Sequence, residues 1–152
     1  QIAALTAAAA QLTALIEAQR EKLTFPDKAA VVKKIRPLSG ELTAQKAALE
    51  AAAEGVSCRE LDTVARNIID GAGYKGCFGH SLGHGVGMYI HENPRLSQAA
   101  KEDSVLKPGH VVTFEPGIYI EGKYGVRIED MVYVTEDGCL DITPSEKKLI
   151  IV

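Results

Sequence analysis

The sequence is poor in several residue types that define protein classes. Its 152 residues include no tryptophan and three cysteines. Cys58, Cys77 and Cys139 are odd in number, widely spaced and without a Cys-x-x-Cys pair. This pattern indicates neither a disulfide framework nor a cysteine zinc site, and we expect all three to be core residues.

Long apolar runs and an excess of charge of one sign are also absent. No run is long enough to span a bilayer, and the first residues show neither the charged start nor the cleavage pattern of a signal peptide. We therefore expect a soluble, cytoplasmic protein that does not bind membranes. The net charge is −3 and the basic residues are mixed with acidic ones, so nucleic acid is not an expected partner.

The first half of the chain is predicted to be helical. Residues 1–22 carry apolar side chains at alternating spacings of three and four, and a second, short helix is predicted to start at Thr24 and to run to about Ile35. A third helix is predicted for residues 41–53, with Gly55 closing it. A capping box at residues 57–60 predicts a fourth helix, with Asp62 and Asp70 on solvated faces.

The second half predicts strands. They are expected at 110–114, 118–120 and 126–134, with a further strand ending at Ile142 and a last apolar run at 149–152. A polar loop is predicted for 93–103, and turns for 107–109, 121–125 and 135–138. Helices followed by antiparallel strands indicate an α+β fold, with the helices packed on one face of a curved antiparallel sheet, and the length fits a single domain over residues 1–152.

Histidines and acidic residues in the second half predict a metal site. His80, His84 and His91 fall within twelve positions and are separated by glycines. Glu115 and Glu129 interrupt runs that otherwise predict strands, where a buried carboxylate is costly without a cation or a donor. Imidazole and carboxylate groups together suit a divalent ion.

Four motifs in this half resemble those of one enzyme family. They are Gly-His-Ser-Leu-Gly-His-Gly-Val-Gly at 79–87, His-Glu-Asn-Pro-Arg-Leu at 91–96, Glu-Pro-Gly-Ile-Tyr at 115–119 and Gly-Val-Arg-Ile-Glu-Asp at 125–130. In order and spacing they are similar to the C-terminal half of the catalytic domain in metallopeptidases with the pita-bread fold, which include Xaa-Pro aminopeptidases and prolidases. The similarity runs from residue 45 to 152, about two thirds of the chain.

The resemblance implies a role for each matching residue. The metal ligands would be His84, Glu115 and Glu129, and the metal would be Mn, Co or Zn. His80 and His91 would lie beside the metal, bind substrate and stabilise charge on the scissile carbonyl, while Glu115 would also move a proton. Arg127 would order the site or bind substrate. The implied reaction is hydrolysis of the bond that precedes proline in a peptide with proline at its second position.

The sequence departs from the family pattern in its first part. The family places an aspartate pair of metal ligands on strands that precede these motifs, and no such strands are predicted here. Residues 1–44 form a helical segment whose connection to residue 45 is atypical of the family, which predicts a shortened or engineered half of the pita-bread fold. Two hypotheses follow: a peptidase of impaired activity with one ion or none, or a non-catalytic half-domain that associates as a homodimer.

Overall fold

The structure is a computed structural model that describes residues 40–144 and 147. The chain divides into two units, residues 1–34 and 35–152. The first unit lies outside the described residues, as do the helices predicted before residue 36 and the apolar run at 149–152. The single-domain assignment therefore stays a prediction.

Two α-helices open the described part of the chain. Helix α1 spans Gly40–Ala51 and helix α2 spans Cys58–Ile69, which confirms the two predicted helices. The Ser57 side chain caps α2 by accepting a hydrogen bond from the Arg59 amide. Gly55 lies between the helices with φ +80°, a backbone conformation that glycine adopts without a steric penalty.

Seven strands follow within the described residues, and all of their pairings are antiparallel. A five-stranded sheet has the order β2-β1-β3-β6-β7, and β4 pairs with β5 in a separate two-stranded sheet. The α+β prediction is confirmed. The strands are β1 Gly83–Gly85, β2 Glu92–Leu96, β3 Val111–Phe114, β4 Gly117–Ile120, β5 Tyr124–Arg127, β6 Asp130–Thr135 and β7 Gly138–Asp141.

Two of the strand predictions are wrong in detail. The predicted loop at 93–103 begins as strand β2, and its Pro94 is tolerated because β2 is an edge strand, where a missing backbone N–H need not break the ladder. The predicted strand at 126–134 is two strands, β5 and β6, which belong to different sheets. The chain leaves the two-stranded sheet and enters the five-stranded sheet at Ile128 and Glu129.

One hydrophobic core lies where α1 and α2 pack against the large sheet. It includes Cys58, as predicted for that cysteine, and Cys77 and Cys139 pack against it partly buried. Among the described residues, no helix has the length and apolar character needed to cross a membrane. The largest fully buried apolar side chains are Phe114, Leu61, Ile69, Leu82, Leu96, Leu106, Ile118, Val112, Val132 and Val134.

The assignment of Asp62 to a solvated helical face is wrong. Its side chain is fully buried, and its carboxylate accepts hydrogen bonds from the Arg66 guanidinium, the Leu82 amide and the Gln98 side chain. Two of these three donors lie 20 and 36 residues away. The helical pattern around Asp62 therefore could not predict these hydrogen bonds.

Candidate functional site

The glycines of the histidine-rich segment allow strand β1 to lie between β2 and β3 in the five-stranded sheet. A Cβ atom on Gly83 would overlap the carbonyl of Thr113 on β3, and one on Gly85 would overlap the carbonyl of Asn93 on β2. The residue between these glycines is His84. The glycines therefore permit close backbone contact with the neighbouring strands, and this contact fixes the position of the His84 side chain.

His84 and Glu115 form the centre of the candidate site. The Nε2 atom of His84 lies 3.1 Å from the Oε1 atom of Glu115, and both side chains are almost fully buried. The Nδ1 atom of the same ring donates to the Gly85 carbonyl at 3.0 Å, because a carbonyl oxygen can only accept. A neutral His84 then presents a lone pair to a carboxylate oxygen. A cation, either a proton or a metal ion, is needed to make that contact favourable.

Thr113 links these two residues. Its hydroxyl accepts a hydrogen bond from the His84 amide at 3.1 Å and donates to Oε1 of Glu115 at 3.2 Å. Thr113 is the third residue of β3 and Glu115 follows directly after that strand, so alternation places both side chains on the same face. The Glu115 amide also donates to the Leu82 carbonyl at 2.8 Å.

The two other histidines of the predicted site, His80 and His91, make different contacts. The ring of His91 is 4.4 Å from the ring of His84, centroid to centroid, so the structure brings these two together. His80 makes other contacts: its Nε2 lies 2.8 Å from the Tyr119 hydroxyl and its Nδ1 lies 2.8 Å from the Ser81 carbonyl. Because that carbonyl accepts from Nδ1, a neutral His80 accepts the Tyr119 hydroxyl hydrogen at Nε2.

Arg127 connects Glu115 to Glu129. One guanidinium nitrogen of Arg127, Nη1, lies 3.7 Å from Oε2 of Glu115, and the other, Nη2, lies 3.5 Å from Oε2 of Glu129. The side chains of Arg127 and Glu129 are 50% and 41% exposed, so solvent weakens the second of these ion pairs. Glu129 thus lies near the centre of the site on the far side of a positive charge.

The donor set at His84 fits the start of a metal site. The histidine donates its second ring nitrogen to a backbone carbonyl, which is the usual way in which a protein orients a ligating imidazole, and a carboxylate faces the free nitrogen. Within residues 40–144 and 147, however, no group of three or more His, Cys, Asp and Glu side chains is arranged to hold a metal ion. The assignment of His84, Glu115 and Glu129 as a common ligand set stays a prediction.

Comparison with known proteins identifies the family. The model of metallopeptidase family M24 matches residues 39–136, which is more than half of the chain. The chain belongs to metallopeptidase family M24. Among the family's curated proteins, the Xaa-Pro dipeptidase of Pyrococcus furiosus is 54% identical over 109 residues, which are 72% of this chain and 31% of that protein.

Solved structures of M24 relatives show the same fold. The prolidase of Pyrococcus horikoshii superposes with a TM-score of 0.73 at 48% identity, covering 78% of this chain and 33% of that one. The X-Pro aminopeptidase of Thermotoga maritima gives a TM-score of 0.72 at 45% identity, covering 80% and 33%. The predicted pita-bread resemblance is confirmed. The chain spans about a third of the length of the M24 relatives it matches.

The structure adds residues to the candidate site that the sequence did not reveal. Thr113 and Tyr119 contact the predicted site residues directly, although neither was assigned a role. Tyr119 belongs to the Glu-Pro-Gly-Ile-Tyr motif, so its place in the motif was an available signal. Thr113 could have been found from the alternation that puts it on the same face as Glu115.

Proposed function

We propose that the chain carries the ion-binding part of a metal-dependent Xaa-Pro peptidase. The observation that carries this proposal is the contact between Nε2 of His84 and Oε1 of Glu115, with the other ring nitrogen fixed on the Gly85 carbonyl. Membership of family M24 and relatives named Xaa-Pro dipeptidase support the same reading. The substrate class is a peptide with proline at its second position.

In this proposal His84 and Glu115 hold a divalent ion, and Glu129 joins them as a further ligand. Manganese, cobalt and zinc all accept imidazole and carboxylate ligands. When bound, such an ion lowers the pKa of water towards about 7 and polarises a carbonyl group. For Glu129 to reach the ion, the Arg127 guanidinium has to give way or share its carboxylate contact.

The chain's own residues supply the remaining functions. Glu115 is the buried carboxylate of the pair, so it is placed to take a proton from the attacking water. His91 lies beside His84 and binds the substrate next to the ion. His80 is held by the Tyr119 hydroxyl and stabilises charge on the scissile carbonyl. Arg127 neutralises Glu115 and Glu129 and orders the substrate.

Turnover by the 152-residue chain is expected to be slow. The resemblance implies an aspartate pair of ligands that these residues do not supply, and fewer ligand charges hold divalent ions more weakly. A second function, a non-catalytic half-domain that self-associates, is supported by an apolar surface on the large sheet. There Tyr133 and Leu140 are cross-strand partners, with 41% and 58% of their surfaces exposed.

An assay of proline release tests the proposal. The full chain is incubated with an Xaa-Pro dipeptide and added Mn²⁺, Co²⁺ or Zn²⁺, next to His84→Ala and a matched control, His110→Ala, which removes a histidine outside the site. Metal-dependent release that is lost only in His84→Ala supports the peptidase. Release that survives His84→Ala contradicts it. No release by any metal, together with a dimer in analytical ultracentrifugation, supports the second function.

A further inference from the structure

A buried ion pair on helix α2 contacts the segment that carries the histidines. The fully buried carboxylate of Asp62 receives Nε of Arg66 at 2.8 Å and Nη2 of Arg66 at 3.1 Å. Nε2 of Gln98 and the Leu82 amide donate to it at 2.7 and 2.9 Å. Each carboxylate oxygen thus has two donors, which offsets the cost of burying the charge.

Arg66 uses two further donors on the same segment. Its guanidinium donates to the Phe78 carbonyl at 2.8 Å and to the His80 carbonyl at 2.9 Å. It also lies over the Phe78 ring, with 4.4 Å between Cζ and the ring centroid, and that ring contacts His80 edge to face. Residues 78–82 belong to no helix or strand, so no regular backbone hydrogen bonds hold them in place. The contacts with Arg66 take over that role.

Leu82 connects the Asp62–Arg66 pair to the His84–Glu115 pair through its backbone. Its amide donates to Asp62, and its carbonyl accepts from the Glu115 amide at 2.8 Å. The next residue, Gly83, begins strand β1, whose second residue is His84. One peptide segment therefore joins the buried carboxylate on α2 to both members of the His84–Glu115 pair.

We propose that Asp62 and Arg66 are positioning residues for this site. They hold the backbone of residues 78–82 so that His80 meets the Tyr119 hydroxyl and His84 faces Glu115. The inference rests on the proposed function where it concerns metal binding. The positions of the His80 and His84 side chains, in contrast, are a property of the folded chain. The positioning can be tested by a measurement that a loss of stability alone would not change.

The test compares the same substitution at two arginines of one helix. Arg66→Lys keeps the charge but cannot make the paired contact with Asp62 and both carbonyl contacts. Arg59→Lys is the matched control, because Arg59 donates to the Ala100 carbonyl and makes no hydrogen bond to residues 78–82. Imidazole ¹⁵N spectra of the metal-free protein then report the tautomers of His80 and His84, and Co²⁺ titration reports the dissociation constant.

In Arg66→Lys we expect a mixture of tautomers at His80 and a Co²⁺ dissociation constant raised about tenfold, the usual effect of losing an orienting partner. Arg59→Lys should change neither. Wild-type imidazole signals in a folded Arg66→Lys variant would overturn the inference, whatever its melting temperature. If the wild type binds no Co²⁺, the proposed function fails, whereas the imidazole spectra still decide the positioning.

A second measurement begins with the wild-type chain, so its first result does not depend on the folding of a variant. The Leu82 amide, bonded to a buried carboxylate, should exchange with deuterium as slowly as the amides of strand β3 in the wild-type chain. Fast exchange at Leu82 would contradict the inference. Asp62→Asn, which keeps the side-chain size, should speed exchange at the Leu82 amide. The β3 amides of the same variant should exchange more slowly than Leu82.

Discussion

His84 and Glu115 face each other with 3.1 Å between Nε2 and Oε1, and the Gly85 carbonyl fixes which ring nitrogen His84 presents. This contact brings together residues from β1 and from the end of β3, which are 31 positions apart in the chain. Two separate sequence motifs, one containing His84 and one containing Glu115, are in direct contact here.

Metal ions should stabilise the chain through this pair. A divalent ion at a concentration of 100 times its dissociation constant adds about 2.7 kcal/mol to the free energy of unfolding, because it binds only the folded state. Glu115→Gln should remove most of this gain, measured as the shift in melting temperature on addition of Mn²⁺, Co²⁺ or Zn²⁺. The control is Glu121→Gln, in the exposed turn between β4 and β5. An equal metal response in both variants would place the ion elsewhere.

Asp62→Ala should destabilise the fold strongly. It removes a buried carboxylate that pairs with Arg66, and breaking a buried pair costs about 3–5 kcal/mol in the free energy of unfolding. Glu60→Ala changes an exposed acid in the first turn of the same helix and should cost about 1 kcal/mol or less. Urea denaturation of both variants measures the difference. Similar losses in the two would show that the burial of Asp62 adds nothing.

Gly83→Ala should separate strands β1 and β3. The new methyl group would overlap the Thr113 carbonyl, a backbone atom that cannot move alone, and overpacking of this kind costs about 1–3 kcal/mol or more. A Cβ on Gly79 meets nothing within 4 Å, so Gly79→Ala should change the stability by less than about 0.5 kcal/mol. Thermal unfolding of both variants checks this. A Gly83→Ala variant as stable as Gly79→Ala would contradict the close approach of the two strands.

The stability of the chain should depend on the protonation of His110. Burial lowers the pKa of His110 from its ordinary value of 6.5, and the charge of Lys107 lowers it further. Its Nδ1 accepts the Lys107 amide at 3.2 Å, which requires the neutral ring. The folded state therefore binds this proton more weakly than the unfolded state. The stability that neutral His110 contributes is present above pH 6.5 and is lost as the pH falls through the lowered pKa.

Comparison with His110→Gln isolates this effect, because the other titrating groups are present in both proteins. The loss of unfolding free energy between pH 7.5 and pH 5 should be smaller in the variant than in the wild type. Urea midpoints at the two pH values measure it. An identical pH dependence in the two proteins would show that protonation of His110 is not linked to folding.

Local signals in the sequence were sufficient for some elements and insufficient for others. Ser57 marked the start of α2, because capping depends on neighbouring residues. The predicted cap at Gly55 was wrong, since α1 ends at Ala51 and the Gly55 amide donates to the Leu106 carbonyl from a distant loop. Strand β1 was not predicted, since a three-residue strand containing two glycines has no hydrophobic period. The division of residues 126–134 between two sheets was also missed, because alternation of side chains does not identify the partner strand.

Motif order and hydrophobic period are properties of the chain, so they were sufficient to predict the family, the α+β class and a set of candidate metal ligands. The fold determines which of those residues meet. It put His84 against Glu115, placed Arg127 between Glu115 and Glu129, and buried Asp62. Contacts of this kind depend on packing between distant segments, which no local pattern encodes.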